Sequence, residues 1–351
     1  FMASFVTVLA GFVWLPLARA LGWISYGLIR LVLWIAYGLT RWRYHAVYFD
    51  NLYLRIWLAA AYMGFGLCAA VKRWRKRKYL FAAAACAALL ALAIWGNTLV
   101  YRSGNMNVSV LDVGQGESVA LYSGGQAMLV DCGSSNSYVD AGTVAADALT
   151  SMGFSHLKAV AVTHFHADHT NGLYTLLSRL KVDTMYLPDM EDEYGVRERL
   201  LELADRYGIT VEWVRRTTLV AVGDIMVTLY PPVGEGDINE QGLSVLGSAN
   251  DFDVLITGDM KGDTERALLK KYPIPDIEIL VVGHHGSKYS SDEAFLEAIK
   301  PEIAIISVGD NSYGHPAPET VQRLERVGAA VRCTNAEGSI TIHEGEEHGG
   351  E

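Results

Sequence analysis

Four side chains able to ligate a metal ion fall within six residues. His164, His166, Asp168 and His169 lie in the run T-H-F-H-A-D-H-T-N from Thr163 to Asn171. The approach, Ala159–Thr163, is apolar and β-branched, so the cluster stands where a buried strand ends. Alternate residues of an extended segment point the same way, so His164 and His166 can grip one cation. Past the bend, Asp168 and His169 can face a second. Nitrogen and carboxylate donors this close suit a dinuclear hydrolytic centre better than a structural zinc site, which favours thiolates. The plainer alternative is two surface histidines and a helix-capping aspartate, but that leaves the partners downstream unexplained.

Those partners also stand at strand ends. Asp259 closes L-I-T-G-D (Leu255 to Asp259), where Gly258 lets the backbone come close and the carboxylate can bridge two cations. His284 and His285 lie in G-H-H-G-S, and His315 follows one strand–helix–strand unit later in Y-G-H-P. Polar residues ending successive strands converge on one rim of a sheet. His45, His156, His343 and His348 lack that context and read as surface residues. Asp131, in L-V-D-C-G, is either a turn aspartate or a carboxylate that orients a ligating imidazole from behind.

The elements that must position these groups are short β-rich runs alternating with amphipathic helices, beginning at Asn107. Strands are expected at 108–111, 118–122, 127–130, 158–162, 185–187, 211–214, 223–230, 252–256, 277–282 and 303–307. Helices are expected at 142–152, 173–180, 196–207, 263–271, 291–299 and 317–327. Strands dominate the first third and then alternate with helices, as in two face-packed sheets with helices outside.

The first hundred residues are a different material. They hold 11 of the 29 Lys and Arg but only Asp50 of the 39 acids, a net charge of +10 against −20 for the rest. The run opens at Phe1 inside an apolar stretch, without the basic start or cleavage site of a signal peptide, and reads as cut from something longer. Phe1–Leu17 and Leu21–Leu39 are apolar, broken by Pro16 and Arg30; the aromatic-rich second is expected in the membrane interface. Leu52–Val71 and Tyr79–Trp95 approach the ~20 residues a bilayer needs. Between them stand six cations in seven residues, Lys72 to Lys78, a cytoplasmic marker under the positive-inside bias. That puts everything after Asn97 on the extracytoplasmic side. The expected organisation is therefore membrane helices over 1–100 and a hydrolase domain over 101–351. The four cysteines give no framework. Buried thiols are the default, although spacing leaves a Cys132–Cys333 bridge open.

H-x-H-x-D-H after a strand, with a later G-D and a later His, resembles the metallo-β-lactamase superfamily. More narrowly, the chain is similar to the C-terminal domain of ComEC competence proteins. Four ordered motifs carry this: L-D-V-G-Q-G-E-S (Leu111 to Ser118), L-I-T-G-D, H-H-G-S, and S-V-G with Y-G-H-P. The preceding helices resemble the tail of that family's transmembrane competence domain. The resemblance implies an αββα sandwich with a dinuclear site on one edge. It also implies a membrane channel through which transforming DNA enters bacteria. Two departures stand out. Glu117 replaces the more usual Asp, and no histidine lies between His169 and His284, where the superfamily usually places a ligand. The first cation then lacks one ligand unless His284 or His285 supplies it, as in the H-H-G phosphodiesterases.

On this basis two divalent ions, zinc or manganese, are expected. One is assigned to His164, His166, Asp259 and His285, the other to Asp168, His169, Asp259 and His315. Asp168 and His284 are the expected catalytic groups, with the free imidazole of His284 on the phosphate or leaving oxygen. The implied activity is a multi-pass, membrane-anchored nuclease acting on DNA, with single strands favoured, beside other parts of the uptake channel. The acidic domain then needs a local basic patch, for which Lys181, Arg215, Arg216, Lys261 and Lys288 are candidates. The alternatives are a surface phosphodiesterase on teichoic or choline-bearing polymers, and a metal-stabilised scaffold that positions DNA without cutting it. A lactamase or thioesterase is weakened by the missing histidine.

Overall fold

The computed structural model describes residues 2–40, 52–70, 77–101, 104–192 and 194–345. Its contacts divide the chain into two units, Phe1–Phe49 and Asp50–Glu351. In the first, α1 (Met2–Val13) packs on α2 (Leu15–Thr40). Pro16 falls in the first turn of α2, where its missing N–H is no loss. Residues Leu15–Ile35, with Arg19 and Arg30 among them, lie on one helix that is long and apolar enough to cross a membrane.

The second unit opens with α3 (Leu52–Ala70) and α4 (Arg77–Tyr101), which pack together; Trp57 Nε1 donates to the Cys86 carbonyl at 2.8 Å. Both are also long and apolar enough to cross a membrane. Of the basic run, Arg77 and Lys78 open α4, and residues 72–76 lie outside the described residues.

The remaining elements follow in order. First come β1 (Asn107–Val110), β2 (Val119–Ser123), β3 (Gln126–Val130), α5 (Ala141–Ser151), β4 (His156–Ala161), α6 (Ala167–Thr170) and α7 (Leu173–Arg179). Next are β5 (Lys181–Pro188), α8 (Val196–Tyr207), β6 (Thr210–Val214), β7 (Thr218–Val222), β8 (Ile225–Tyr230), β9 (Ser244–Ala249) and β10 (Phe252–Ile256). The chain ends with α9 (Gly262–Lys271), β11 (Ile279–Val281), α10 (Glu293–Ile299), β12 (Ile303–Ile306), α11 (Pro318–Arg326), β13 (Ala330–Cys333), α12 (Thr334–Glu337) and β14 (Ile340–His343).

Two seven-stranded sheets result. One runs β14-β1-β2-β3-β4-β5-β6, antiparallel as far as β3 and parallel from β3 to β6. The other runs β13-β12-β11-β10-β9-β8-β7, parallel as far as β10 and antiparallel beyond it. Period-two alternation sorts side chains into layers. In β3, Met128 and Val130 enter the core between the sheets, while Ala127 and Leu129 meet the outer helices. Leu149, Leu176 and Leu200 of α5, α7 and α8 cover one sheet; Leu268, Phe295 and Leu324 of α9, α10 and α11 cover the other. This is the expected αββα sandwich.

Four strands escaped the sequence reading. The strand expected at 223–230 is β8, shortened to 225–230; β7 before it was missed, and Gly223 takes φ +59° in the turn between the two. In β9, Gly247 breaks the β-branched pattern, and a Cβ there would lie 2.9 Å from Met106. The strands β13 and β14 are four residues each, and β14 is recruited by β1 from the far end of the chain. Cys132 and Cys333 are free thiols, and burial pushes the Cys132 thiol up, so it serves packing.

Candidate metal centre

Every candidate ligand follows the carboxyl end of a parallel strand. Thr163 to His169 follow β4, Asp131 follows β3, Asp259 follows β10, His284 and His285 follow β11, and His315 lies beyond β12. The close approach of the two sheets is set at Gly258, which has φ +56°; a Cβ there would stand 2.9 Å from Thr163. That contact brings Asp259 against the 164–169 loop. Its Oδ1 lies 3.2 Å from His169 Nε2 and 3.9 Å from His285 Nε2, and its Oδ2 lies 3.9 Å from His164 Nε2. His284 Nε2 is 3.6 Å from the same Oδ2.

Among the described residues three clusters of possible ligands form; one is Glu117, Asp131 and His169, and the other two carry the candidate ions. His164, His166 and Asp259 make one of these two ligand groups, and Asp168, His169 and His285 the other, with the donor atoms of each within 4.8 Å of one another. His164 Nε2 and His166 Nδ1 are 3.1 Å apart. Tetrahedral ligands at ~2.0–2.1 Å from zinc stand at a similar separation, about 3.3 Å. His169 Nε2, His285 Nε2 and Asp259 Oδ1 are buried without a hydrogen-bond partner, although they face one another. Buried polar atoms left in this way are costly, and a cation between them would satisfy all three. The donors are nitrogen and oxygen only, so the residues fit divalent ions of the zinc or manganese type.

The backs of the imidazoles are held. Asp131 Oδ2 accepts from His169 Nδ1 at 2.7 Å and from Thr163 Oγ1 at 2.5 Å, and Asp131 Oδ1 accepts from the Thr163 amide at 2.7 Å. Thr163 Oγ1 lies 3.1 Å from His164 Nδ1, so one carboxylate orients two rings. His285 Nδ1 donates to the Ser307 carbonyl at 2.9 Å, which turns its Nε2 inward. His284 and His285 both take φ +52°, a strained conformation for a residue with a Cβ.

Charge follows burial and neighbours. Burial opposes ionisation of Asp259 and Asp168, yet facing imidazoles hold both carboxyls well below their usual range. Burial also opposes protonation of His169 and His285, but Asp259, with Asp131 or Asp168, raises both. His164 and His284 are lowered, chiefly by burial. Glu117 lies beside Asp131 and His169, and burial pushes it up to about 8.

The rings form a continuous series. Centroids run 5.9 Å from Tyr194 to His166, 4.8 Å to His164 and 4.1 Å to His169. From His169 the steps are 5.4 Å to His285, 6.5 Å to His284, 5.7 Å to His315 and 6.0 Å to Tyr313.

The placement differs from the expected assignment in two respects. His285 joins Asp168 and His169 instead of the His164 group, because its Nε2 is 3.6 Å from Asp168 Oδ2. His315 belongs to neither ligand group and stands against His284. Its loop is fixed by Asn311, whose Nδ2 donates to the His315 carbonyl at 2.8 Å and whose Oδ1 accepts from the His315 amide at 3.1 Å. Sequence reasoning missed Thr163, Ser307, Asn311 and Tyr194; Glu117 entered it only as a departure within a motif. His156 is exposed and paired with Asp183, and His343 contacts Asn107; His45 and His348 lie outside the described residues.

The basic candidates separate. Lys181 opens β5 at the opposite end of the strands from the ligands. Lys261 is paired with Asp237 and Glu240, and Arg215 with Asp189. Among the described residues, Arg216 and Lys288 have no carboxylate partner, and Lys288 lies over the Tyr289 ring at 5.0 Å.

The family model of the metallo-beta-lactamase superfamily matches residues 111–310. The chain belongs to that superfamily. This member of the superfamily is 28% identical over 255 residues to ComE operon protein 3 of Bacillus subtilis (strain 168), covering 68% of itself and 33% of that protein. It is 28% identical over 240 residues to competence protein ComA of Neisseria gonorrhoeae, covering 66% and 31%. Both are of the ComEC competence family, so the narrower resemblance also holds. The chain spans about a third of the length of these relatives. Among solved structures it is similar to the metallo-beta-lactamase fold protein YhfI of Bacillus subtilis, with a TM-score of 0.48, 13% identity, and coverage of 68% of this chain and 99% of that one.

Proposed function

We propose that the chain is a metal-dependent phosphodiesterase of a DNA-uptake apparatus, cutting DNA at the extracytoplasmic face of the membrane. The observation that carries this reading is Asp259, one carboxylate that lies against two ligand groups, with the partnerless Nε2 atoms of His169 and His285 facing its Oδ1. Two divalent cations bound there supply Lewis acidity and neutralise charge on phosphoryl oxygens.

The chain's own residues do the rest. Asp131 and Ser307 keep the ring protons of His169 and His285 on the outer nitrogens, leaving the inner ones free as donors to a cation. His284 is excluded from both ligand groups and partly open, 23% exposed. Burial lowers its pKa, so near neutral pH it is an uncharged ring that donates a hydrogen bond to a phosphate.

Membrane helices over 1–100 and a hydrolase domain over 101–351 fit this role, with the basic run 72–78 inside the cell. The uptake setting rests on the competence relatives, whose remaining length would supply the other parts of the channel. The test is cleavage of single-stranded DNA by the detergent-solubilised chain with zinc and with manganese, against an Asp168→Ala/His169→Ala variant. Metal-dependent cleavage lost in the variant is expected; undiminished cleavage rules the site out.

A further inference from the structure

Tyr194 and Tyr313 stand at the two ends of the ring series that crosses the metal centre. Tyr194 comes from the loop after β5 and Tyr313 from the loop after β12, so opposite sheets supply the two ends. Both are open, 57% and 71% exposed. Their backbones are tied into local turns, by Asp192 and Arg199 for Tyr194 and by Asn311 for Tyr313, but neither side chain is buried. Each ring leans on a histidine of the centre, 5.9 and 6.0 Å away, and leaves most of its surface in water. A free aromatic face of this kind is a stacking surface for another flat ring.

Between the two tyrosines lie the partnerless donors already described, the place where a phosphodiester would be held. A strand laid along the ring series would pass one tyrosine on each side of that phosphate. Base stacking on an aromatic side chain needs an unpaired base, because in a duplex both faces are already covered by neighbours. It also tolerates any sequence, since every base has a π-face. Stacking further supplies affinity that does not depend on positive charge, which this acidic domain lacks.

We infer that Tyr194 and Tyr313 form a base-stacking clamp that restricts the centre to unpaired polynucleotide strands. This rests on the phosphodiesterase reading above and names the class of substrate. Beyond Tyr194, the end of β6 leads to Arg216, which is free to meet the departing phosphates.

The test uses the full chain in detergent and measures binding of three probes. They are a short single strand carrying 2-aminopurine, the same strand with abasic sites, and the duplex. Stacking is read from quenching of 2-aminopurine fluorescence. The wild type is expected to bind and quench the based strand and to bind the other two more weakly. Tyr194→Ala and Tyr313→Ala should each weaken the based strand by roughly 5- to 150-fold, the range of one base–aromatic stack, and leave the abasic strand unchanged. Tyr194→Phe and Tyr313→Phe should restore quenching and preference, because the ring face is what stacks. Equal losses on based and abasic strands, no loss on either, or no binding of any strand overturns the clamp. Intact binding and quenching without cleavage by any metal-loaded wild type overturns the phosphodiesterase reading alone.

Discussion

Asp131 shows how much one carboxylate behind a metal centre can do. It touches neither ligand group's inner face, yet His169, Thr163 and through Thr163 the ring of His164 all depend on it. An Asp131→Asn side chain keeps one accepting oxygen where the carboxylate accepts from His169 Nδ1, the Thr163 hydroxyl and the Thr163 amide, so at least one of the three bonds that hold the rings is lost. The expected result is a 10- to 100-fold weaker metal affinity, by analogy with other ligand-orienting partners, while the ligands themselves remain. Metal titration followed by mass spectrometry of bound zinc or manganese checks this. Unchanged affinity would mean that the rings are held by packing alone.

At the scale of elements, the centre depends on how firmly the β11–α10 connection is tied to α9. Glu265 of α9 is fully buried and accepts from the backbone amides of Ser291 and Asp292, each at 2.8 Å. Burial raises its carboxyl from 4.5 to about 7. Between those values the folded chain holds a proton that the unfolded chain has lost, so stability falls as pH rises through the window. Over the whole window the loss is about 3 kcal/mol. Below it both states are protonated, and above it both are ionised. A Glu265→Gln variant, neutral throughout, should lack this slope. Chemical denaturation of wild type and variant across the window, followed by near-ultraviolet circular dichroism, gives the comparison; parallel curves would show that Glu265 is already ionised in the fold.

At the scale of the whole molecule, the ligands occupy one end of the sandwich and α4 meets the other. Tyr101 at the end of α4 lies 6.3 Å from the Tyr122 ring, and Asn97 approaches Gly153. The six residues of β4 separate these ends, about 20 Å at ~3.3 Å per residue. The proposed centre therefore faces away from the apolar stretch of α4. The surface it offers to DNA is poor in unpaired cations, with Arg216 and Lys288 the free candidates of the five considered. Each phosphate neutralised on a single strand steepens the salt dependence of binding by about 0.7 in log–log slope. An Arg216→Ala/Lys288→Ala variant should thus flatten the slope by about 1.4. Binding measured over a salt series decides this, and an unchanged slope would place the strand elsewhere.

Much of this was legible along the chain because it is local. Four candidate ligands in T-H-F-H-A-D-H-T-N share one short segment, and apolar runs before Asp259 and His284 announce strand ends whatever the rest does. The alternation in β3 and the amphipathic pattern of α8 are likewise set by neighbours a few residues away. What the linear order left open depends on groups brought together from far apart. Gly258 against Thr163 decides that Asp259 lies between the two ligand groups. The left-handed turn at His284 and His285 decides which of the pair joins Asp168. The pairing of β14 with β1 and the leaning of Tyr194 and Tyr313 on the ends of the ring series are contacts between distant segments. Spacing along a polymer carries direction only over a few residues; beyond that, which side chains meet is determined by the packing of one sheet on the other.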